Sequence, residues 1–118
     1  MTELVVCLSG DEKHWSHIQR LIRDANWSKV YAITEKNCKE RFMASKSIDF
    51  IIVDFANPAV EVIGELTKHL KNKFSDFEVA LNLVSGTGKE HMIVLSALLK
   101  LGVGIRLVAV TKEGIKEL

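Results

Sequence analysis

The sequence predicts an α/β fold built as a three-layer sandwich. Two observations carry that expectation. Five short apolar runs, many of them β-branched, alternate with four helical segments across connections of only a few residues. Most of the runs are continuously apolar and do not alternate with polar residues, the pattern of strands buried on both faces beneath covering helices.

The runs are "ELVVCL" (3–8), "KVYAIT" (29–34), "IDFIIVDF" (48–55), "EVALNLV" (78–84) and "GIRLVAV" (104–110). Between the first two, residues 14–25 place Trp15, Ile18, Leu21 and Ile22 on one stripe of an amphipathic helix. Residues 35–46 form a more polar helix whose buried side is expected to be Phe42 and Met43. In the third helix Asn57 is placed to cap and Pro58 to occupy the first helical position, where its missing N–H costs nothing. Val62, Ile63, Leu66 and Leu70 give that helix its apolar face.

The fourth helix, from about Gly88 to Leu101, is apolar almost all round and ends at Gly102, a residue suited to a C-terminal cap. A helix without a polar face is expected to be covered on two sides, by the sheet and by either a neighbouring helix or a second subunit. The polar "TKEGIKEL" that follows is expected to form a short terminal turn. With right-handed crossovers the order gives a Rossmann-like sandwich with a mainly parallel five-stranded sheet in the order 3-2-1-4-5. Residues 1–118 make one domain, long enough for one core and too short for two.

Composition excludes several classes of function. Sixteen basic residues against fifteen acidic ones leave a formal charge of +1, so no general attraction to long nucleic acid or to an anionic membrane follows. Any anion would have to be held locally. The longest uncharged apolar stretch, Met92 to Leu99, is far too short to span a bilayer. No basic, apolar leader precedes the first strand, and the two cysteines, Cys7 and Cys38, form neither a disulfide framework nor a zinc-ligand cluster. A cytoplasmic protein without a cofactor is expected.

In open sheets of this type ligands bind beyond the carboxyl ends of the strands, where strand order reverses. For the order 3-2-1-4-5 that point lies between strands one and four. The loops meeting there are "SGDEKHW", with Ser9 and Gly10, and "SGTGKEH", within "NLVSGTGKEHM". The other two strand-to-helix junctions, "TEKN" and "FANP", contain no glycine. The second loop is not a P-loop: Leu83 stands where the first glycine is required, and Glu90 follows Lys89 where a hydroxyl is needed. Nor is it a dinucleotide fingerprint, because His91 occupies the third glycine position. What remains is a glycine turn at a helix N-terminus, whose free N–H groups, with Ser85, Thr87 and Lys89, suit a phosphate or ribose. Thr87 and Glu90 also match a capping box, as do Ser9 and Glu12, which would explain the same residues without a ligand.

Other candidates weigh less. His14 and His17 stand three apart and could share a metal, but no third ligand is placed to complete a set, so both are expected to be solvated and no metal site is assigned. His91, in the first turn of the fourth helix, could contact a ligand or move a proton, with packing as the simpler role. His69 reads as a surface residue and Cys7 as a small core residue. Asp54 is expected to help the turn after strand three, away from the cleft. Trp15 and Trp27 are expected to cover the sheet.

The stretch "VALNLVSGTGKEHMIVLSALLKLGVGIRLVAV" resembles the fourth strand, loop and helix of CRISPR-associated Rossmann-fold (CARF) domains. Their signature is an apolar strand ending in an N-[ILV]-[ST]-x-G-[ST] type of turn, then a strongly apolar helix and another strand. Asn82, Ser85, Gly86, Thr87, Gly88 and Lys89 would occupy that turn, and Ser9 and Gly10 the family's other ligand loop. The match covers roughly residues 78–110, and the rest only by its α/β layout. The resemblance implies a homodimer whose two turns line a shared cleft for a cyclic oligoadenylate, a nucleotide second messenger, and the apolar helix 88–101 is where the two copies are expected to pair. Family members usually carry a C-terminal effector domain, so the chain would be a small stand-alone member.

Three expectations follow. The first is a ligand-binding domain that uses Ser9, Gly10, Asn82, Ser85, Gly86, Thr87, Gly88, Lys89 and His91. The second is a metal-independent phosphodiesterase, a ring nuclease, in which backbone N–H groups and Lys89 stabilise an oxyanion and His91 or Ser9 moves a proton. The third is a protein-interaction module using the apolar helix. No close nucleophile–base pair is visible in the sequence, so the catalytic residues are left unassigned.

Overall fold

A computed structural model describes residues 2–118. Six strands form one sheet in the order β3-β2-β1-β4-β5-β6. They are β1 (Glu3–Leu8), β2 (Lys29–Thr34), β3 (Asp49–Ile52), β4 (Glu78–Asn82), β5 (Gly104–Thr111) and β6 (Gly114–Glu117). The first five pair in parallel and β6 runs antiparallel to β5. The helices are α1 (Trp15–Arg23), α2 (Lys36–Arg41), α3 (Ala59–Leu70) and α4 (Gly88–Leu101), with a 3-10 turn at Glu12–His14 leading into α1. This is the expected α/β sandwich with one strand added.

Each sheet face has its own core. On one, Val5, Cys7, Ile33, Leu81 and Val79 meet Val62, Leu66 and Leu70 of α3 and Ile93, Val94, Ala97 and Leu98 of α4. On the other, Leu4, Val6, Leu8 and Ala80 meet Trp15, Ile18, Leu21 and Ile22 of α1, with Cys38 and Phe42 beside them. β1, central and buried along its whole length, supplies alternate residues to both. Its unbroken apolar run therefore reflects helices above and below.

Several expectations are corrected. The sixth strand falls in the tail expected to be a turn. Lys112 and Glu113 form the tip of a hairpin that folds Gly114–Glu117 back along β5, with Thr111 Oγ1 accepting Glu113 N at 3.1 Å. Gly114, at φ 98°, supplies the positive φ that such a tight hairpin requires. α2 is only six residues long and stops at Phe42, which turns to extended backbone. Phe42 is buried, but Met43 is 74% exposed. α3 is not capped by Asn57: Pro58 occupies the cap position and no side chain caps the helix, so the helix starts one residue later than expected. Gly102, at φ 76°, closes α4 in the left-handed conformation as expected.

At the opposite end of the sheet a buried carboxylate organises the connection from α3 to β4. Glu3 Oε1 accepts Ser75 N at 2.8 Å and Ser75 Oγ at 3.2 Å, and Glu3 Oε2 accepts the Tyr31 hydroxyl at 3.3 Å. The same hydroxyl lies 3.1 Å from Lys73 O, so its single proton is shared between the carboxylate and that carbonyl. Glu3 is 3% exposed, and these bonds explain how a carboxylate is tolerated in an otherwise apolar strand.

Candidate functional site

β1 and β4 are adjacent, so the sheet reverses between them and the loops that follow both strands meet at its carboxyl edge. The contact is direct. Ser9 N donates to Ser85 Oγ at 2.8 Å, joining residues 76 positions apart. The β1 loop is held from the other side as well, because Trp15 Nε1 donates to Ser9 O at 2.8 Å. Trp15 thus covers the sheet and also fixes the loop. Ser85, 1% exposed, is positioned from behind by His91, whose Nε2 donates to Ser85 O at 2.8 Å.

Between the loops lies a cleft of about 260 Å³ lined by Ser9, Asp11, Lys13, His14, Val84, Gly86 and Thr87. The α4 side ends in the expected capping box: Glu90 N donates to Thr87 Oγ1 at 3.2 Å, and Thr87 N donates to Glu90 Oε1 at 2.9 Å. The amides of Gly88 and Lys89 take no part in that box. On the β1 side the expected pairing of Ser9 with Glu12 does not form. Ser9 Oγ accepts Asp11 N at 3.3 Å, Asp11 caps the 3-10 turn by accepting Lys13 N at 3.1 Å, and Glu12 pairs with Arg41. The cap therefore falls at Asp11, two residues further on than the motif implied.

Gly86 has φ 112°, a backbone conformation that a side chain strains to adopt. A Cβ there would also lie 2.8 Å from Glu90 Oε1, 3.1 Å from His91 Nε2 and 3.2 Å from Cys7 Sγ. Cysteine, glutamate and histidine therefore converge beneath the turn. Burial, and then the charge of Glu90, push the Cys7 thiol up to about 12. A thiol held protonated in this way is not a nucleophile.

The residues singled out in the sequence fall into distinct places. Ser9, Ser85, Gly86 and Thr87 gather at the cleft, and Ser85 acts as the clasp between its walls. Gly10 is exposed in the bend after β1, its Cα side facing Cys38, and Gly88 opens α4 with open space around it. Asn82 lies beneath the turn, 2% exposed, donating to Val108 O at 2.9 Å and accepting Val84 N at 3.2 Å. Lys89 reaches to the neighbouring junction, where Nζ donates to Phe55 O at 2.9 Å and Asn57 O at 3.1 Å. His91 braces the turn from within. The basic residues lining the cleft are Lys13 and His14. Their signal in the sequence was the basic pair within the "SGDEKHW" loop after β1, hidden by reading Lys89 as the charge.

A larger hollow of about 520 Å³ lies at the ends of β2 and β3, lined by Glu35, Lys36, Asn37, Glu40 and Asp54. Three of its five lining side chains are carboxylates, which oppose a phosphate. Asp54 also serves the turn, accepting Ala56 N at 2.9 Å. Among the described residues no group of three or more His, Cys, Asp or Glu side chains could hold a metal ion. His14 faces the cleft, whereas His17 turns to the sheet. No helix among the described residues is long and apolar enough to cross a membrane. No family model matches the chain, and none of the curated proteins compared with it matches either.

Proposed function

We propose that the chain is a small CARF-like ligand-binding domain that senses a cyclic oligoadenylate or a related nucleotide in CRISPR-linked defence, as a cytoplasmic homodimer. The observation that carries this reading is the clasp between Ser9 N and Ser85 Oγ, which joins the two loops around a cleft at the point of strand reversal. Lys13 and His14 on one wall suit a phosphate, Gly86 and Thr87 on the other lead into the N-terminus of α4, and Ser9 and Thr87 offer hydroxyls to a ribose. The exposed stripe Met92, Leu95 and Leu99 on α4 supports pairing through that helix.

Binding is favoured over cleavage. Ser9 Oγ and Ser85 Oγ accept backbone amides, and neither contacts an imidazole among the described residues. His91 spends its Nε2 proton on Ser85 O. A ring nuclease would need a different arrangement of these groups on binding.

Calorimetry with a panel of cyclic adenylates and mononucleotides tests the proposal. Heat of binding is expected for at least one ligand, weakened about tenfold in Lys13→Ala, as for one charge-assisted contact of roughly 1.4 kcal/mol. No heat across the panel sinks the proposal. A second reading, a protein-interaction module, is favoured by the α4 stripe alone; it gains if no nucleotide binds and a partner polypeptide co-purifies.

A further inference from the structure

β5 is longer than β4. Their pairing ends at Leu81 and Leu107, so the backbone of β5 beyond that point has no β4 strand to meet. Side chains take the place of the missing strand. Asn82 Nδ2 donates to Val108 O at 2.9 Å while Asn82 Oδ1 accepts Val84 N at 3.2 Å, which fixes the direction of the amide. Two residues on, Val110 N donates to His17 Nε2 at 3.3 Å, and Asn82 Nδ2 lies 3.3 Å from the same nitrogen. His17 Nε2 therefore faces two N–H groups and must be the unprotonated nitrogen of a neutral ring.

The surroundings offer an imidazolium nothing. Partial burial, followed by His14 and Arg20 on its own side of the sandwich, lowers the His17 pKa below its ordinary value. From the sheet, β4 presents the uncharged Asn82. β5 and β6 turn Arg106 and Glu117 to this face, 3.8 Å apart and facing each other. Lys112 and Glu113 are exposed at the hairpin tip. A folded pKa below the unfolded one means that the neutral ring stabilises the fold above the ordinary histidine pKa of about 6.5. That contribution is lost as pH falls through the lowered value.

We propose that His17 is a proton-operated latch between α1 and the sheet. Protonation at Nε2 would set a third N–H against those of Val110 and Asn82, break both contacts and detach α1 from the end of β5 and from the Asn82 amide that supports the turn. That turn carries Ser85 and Gly86, so acidification would loosen one wall of the cleft whether or not a ligand binds there.

Long-range proton–nitrogen spectra and amide exchange of the labelled protein test the latch. At about pH 7.5, Nδ1 is expected to carry the proton, and the protection factor of the Val110 amide should fall about tenfold by about pH 5. The Val5 amide in the central strand should keep its protection over the same range. In His17→Gln, whose side-chain oxygen accepts at every pH in this range, Val110 protection should not change. A proton on Nε2 at about pH 7.5, unchanged Val110 protection in the wild type, or parallel loss at Val5 would each overturn the proposal. The wild-type measurements decide even if the variant does not fold.

Discussion

Ser85 Oγ accepts the backbone N–H of Ser9 at 2.8 Å, and this bond ties the turn after β4 to the loop after β1. Ser85→Ala leaves that amide without its partner at a site where Ser85 itself is 1% exposed. The loss should be about 1–2 kcal/mol, the cost of a partly buried donor left unpaired. Urea denaturation should show a lower midpoint with an unchanged slope. A midpoint equal to the wild type would show that the clasp contributes nothing to stability.

The thiol of Cys7 lies beneath that same turn and is pushed up to about 12. Cys7 and Cys38 are both fully buried. In native protein at about pH 8 neither should react with iodoacetamide over hours, and both should react within minutes once the chain is unfolded. Mass spectrometry of the alkylated protein reads the outcome directly. Rapid native labelling of Cys7 would mean that the turn over Gly86 opens frequently.

The layers of the fold were legible because they rest on periodicity. The stripe from Trp15 to Ile22, the runs at 3–8 and 29–34, and the capping box at Thr87 each depend on residues close in sequence. The cleft was legible only in outline. The glycine loops after β1 and β4 marked its position, but the direction of Lys89 is set by carbonyls at Phe55 and Asn57, more than thirty residues away. Asn82 and His17 read as a turn residue and a solvated histidine, because nothing local reveals that β5 outruns β4. The sixth strand was missed because Ile115 alone is apolar among the four residues of β6, too little for a strand pattern. The face of Phe42 was correct and that of Met43 was not, since α2 ends before a second turn could bury it.

Tyr31 provides a test at high pH. Burial first, and then the Glu3 carboxylate, raise its pKa from about 10 to about 12. The folded state therefore holds the phenol proton more tightly than the unfolded chain does. Its contribution is full below about pH 10 and is lost as pH rises toward 12. Tyr31→Phe removes that titration. The variant should be less stable at neutral pH, where it lacks the bonds to Glu3 and Lys73 O, and the gap to the wild type should narrow as the pH rises above 10. Thermal unfolding at matched ionic strength measures the gap, and a constant gap would contradict the assignment.

α4 gives the sharpest statement about assembly. Ile93, Val94, Ala97 and Leu98 face the sheet, and α3 packs alongside, yet Met92 is 71% and Leu99 63% exposed, with Leu95 between them at 36%. Among the described residues no helix follows β5 to cover its side of the same face, and Leu107, paired in register with the core residue Leu81, is 44% exposed. A homodimer through α4 would bury this surface across a two-fold axis, each copy presenting the same residues to the other. Sedimentation equilibrium should then give a dimer for the wild type. Leu95→Glu with Leu99→Glu should raise the dissociation constant at least about 100-fold, because two charges per protomer would enter an apolar interface, a change of about 2.7 kcal/mol. Thermal unfolding of the double variant should remain cooperative, since both side chains are solvent-accessible in the protomer. A wild type that sediments as a monomer at about 100 μM, a concentration that detects even weak pairing, would remove the dimer and leave the stripe as a surface for another polypeptide.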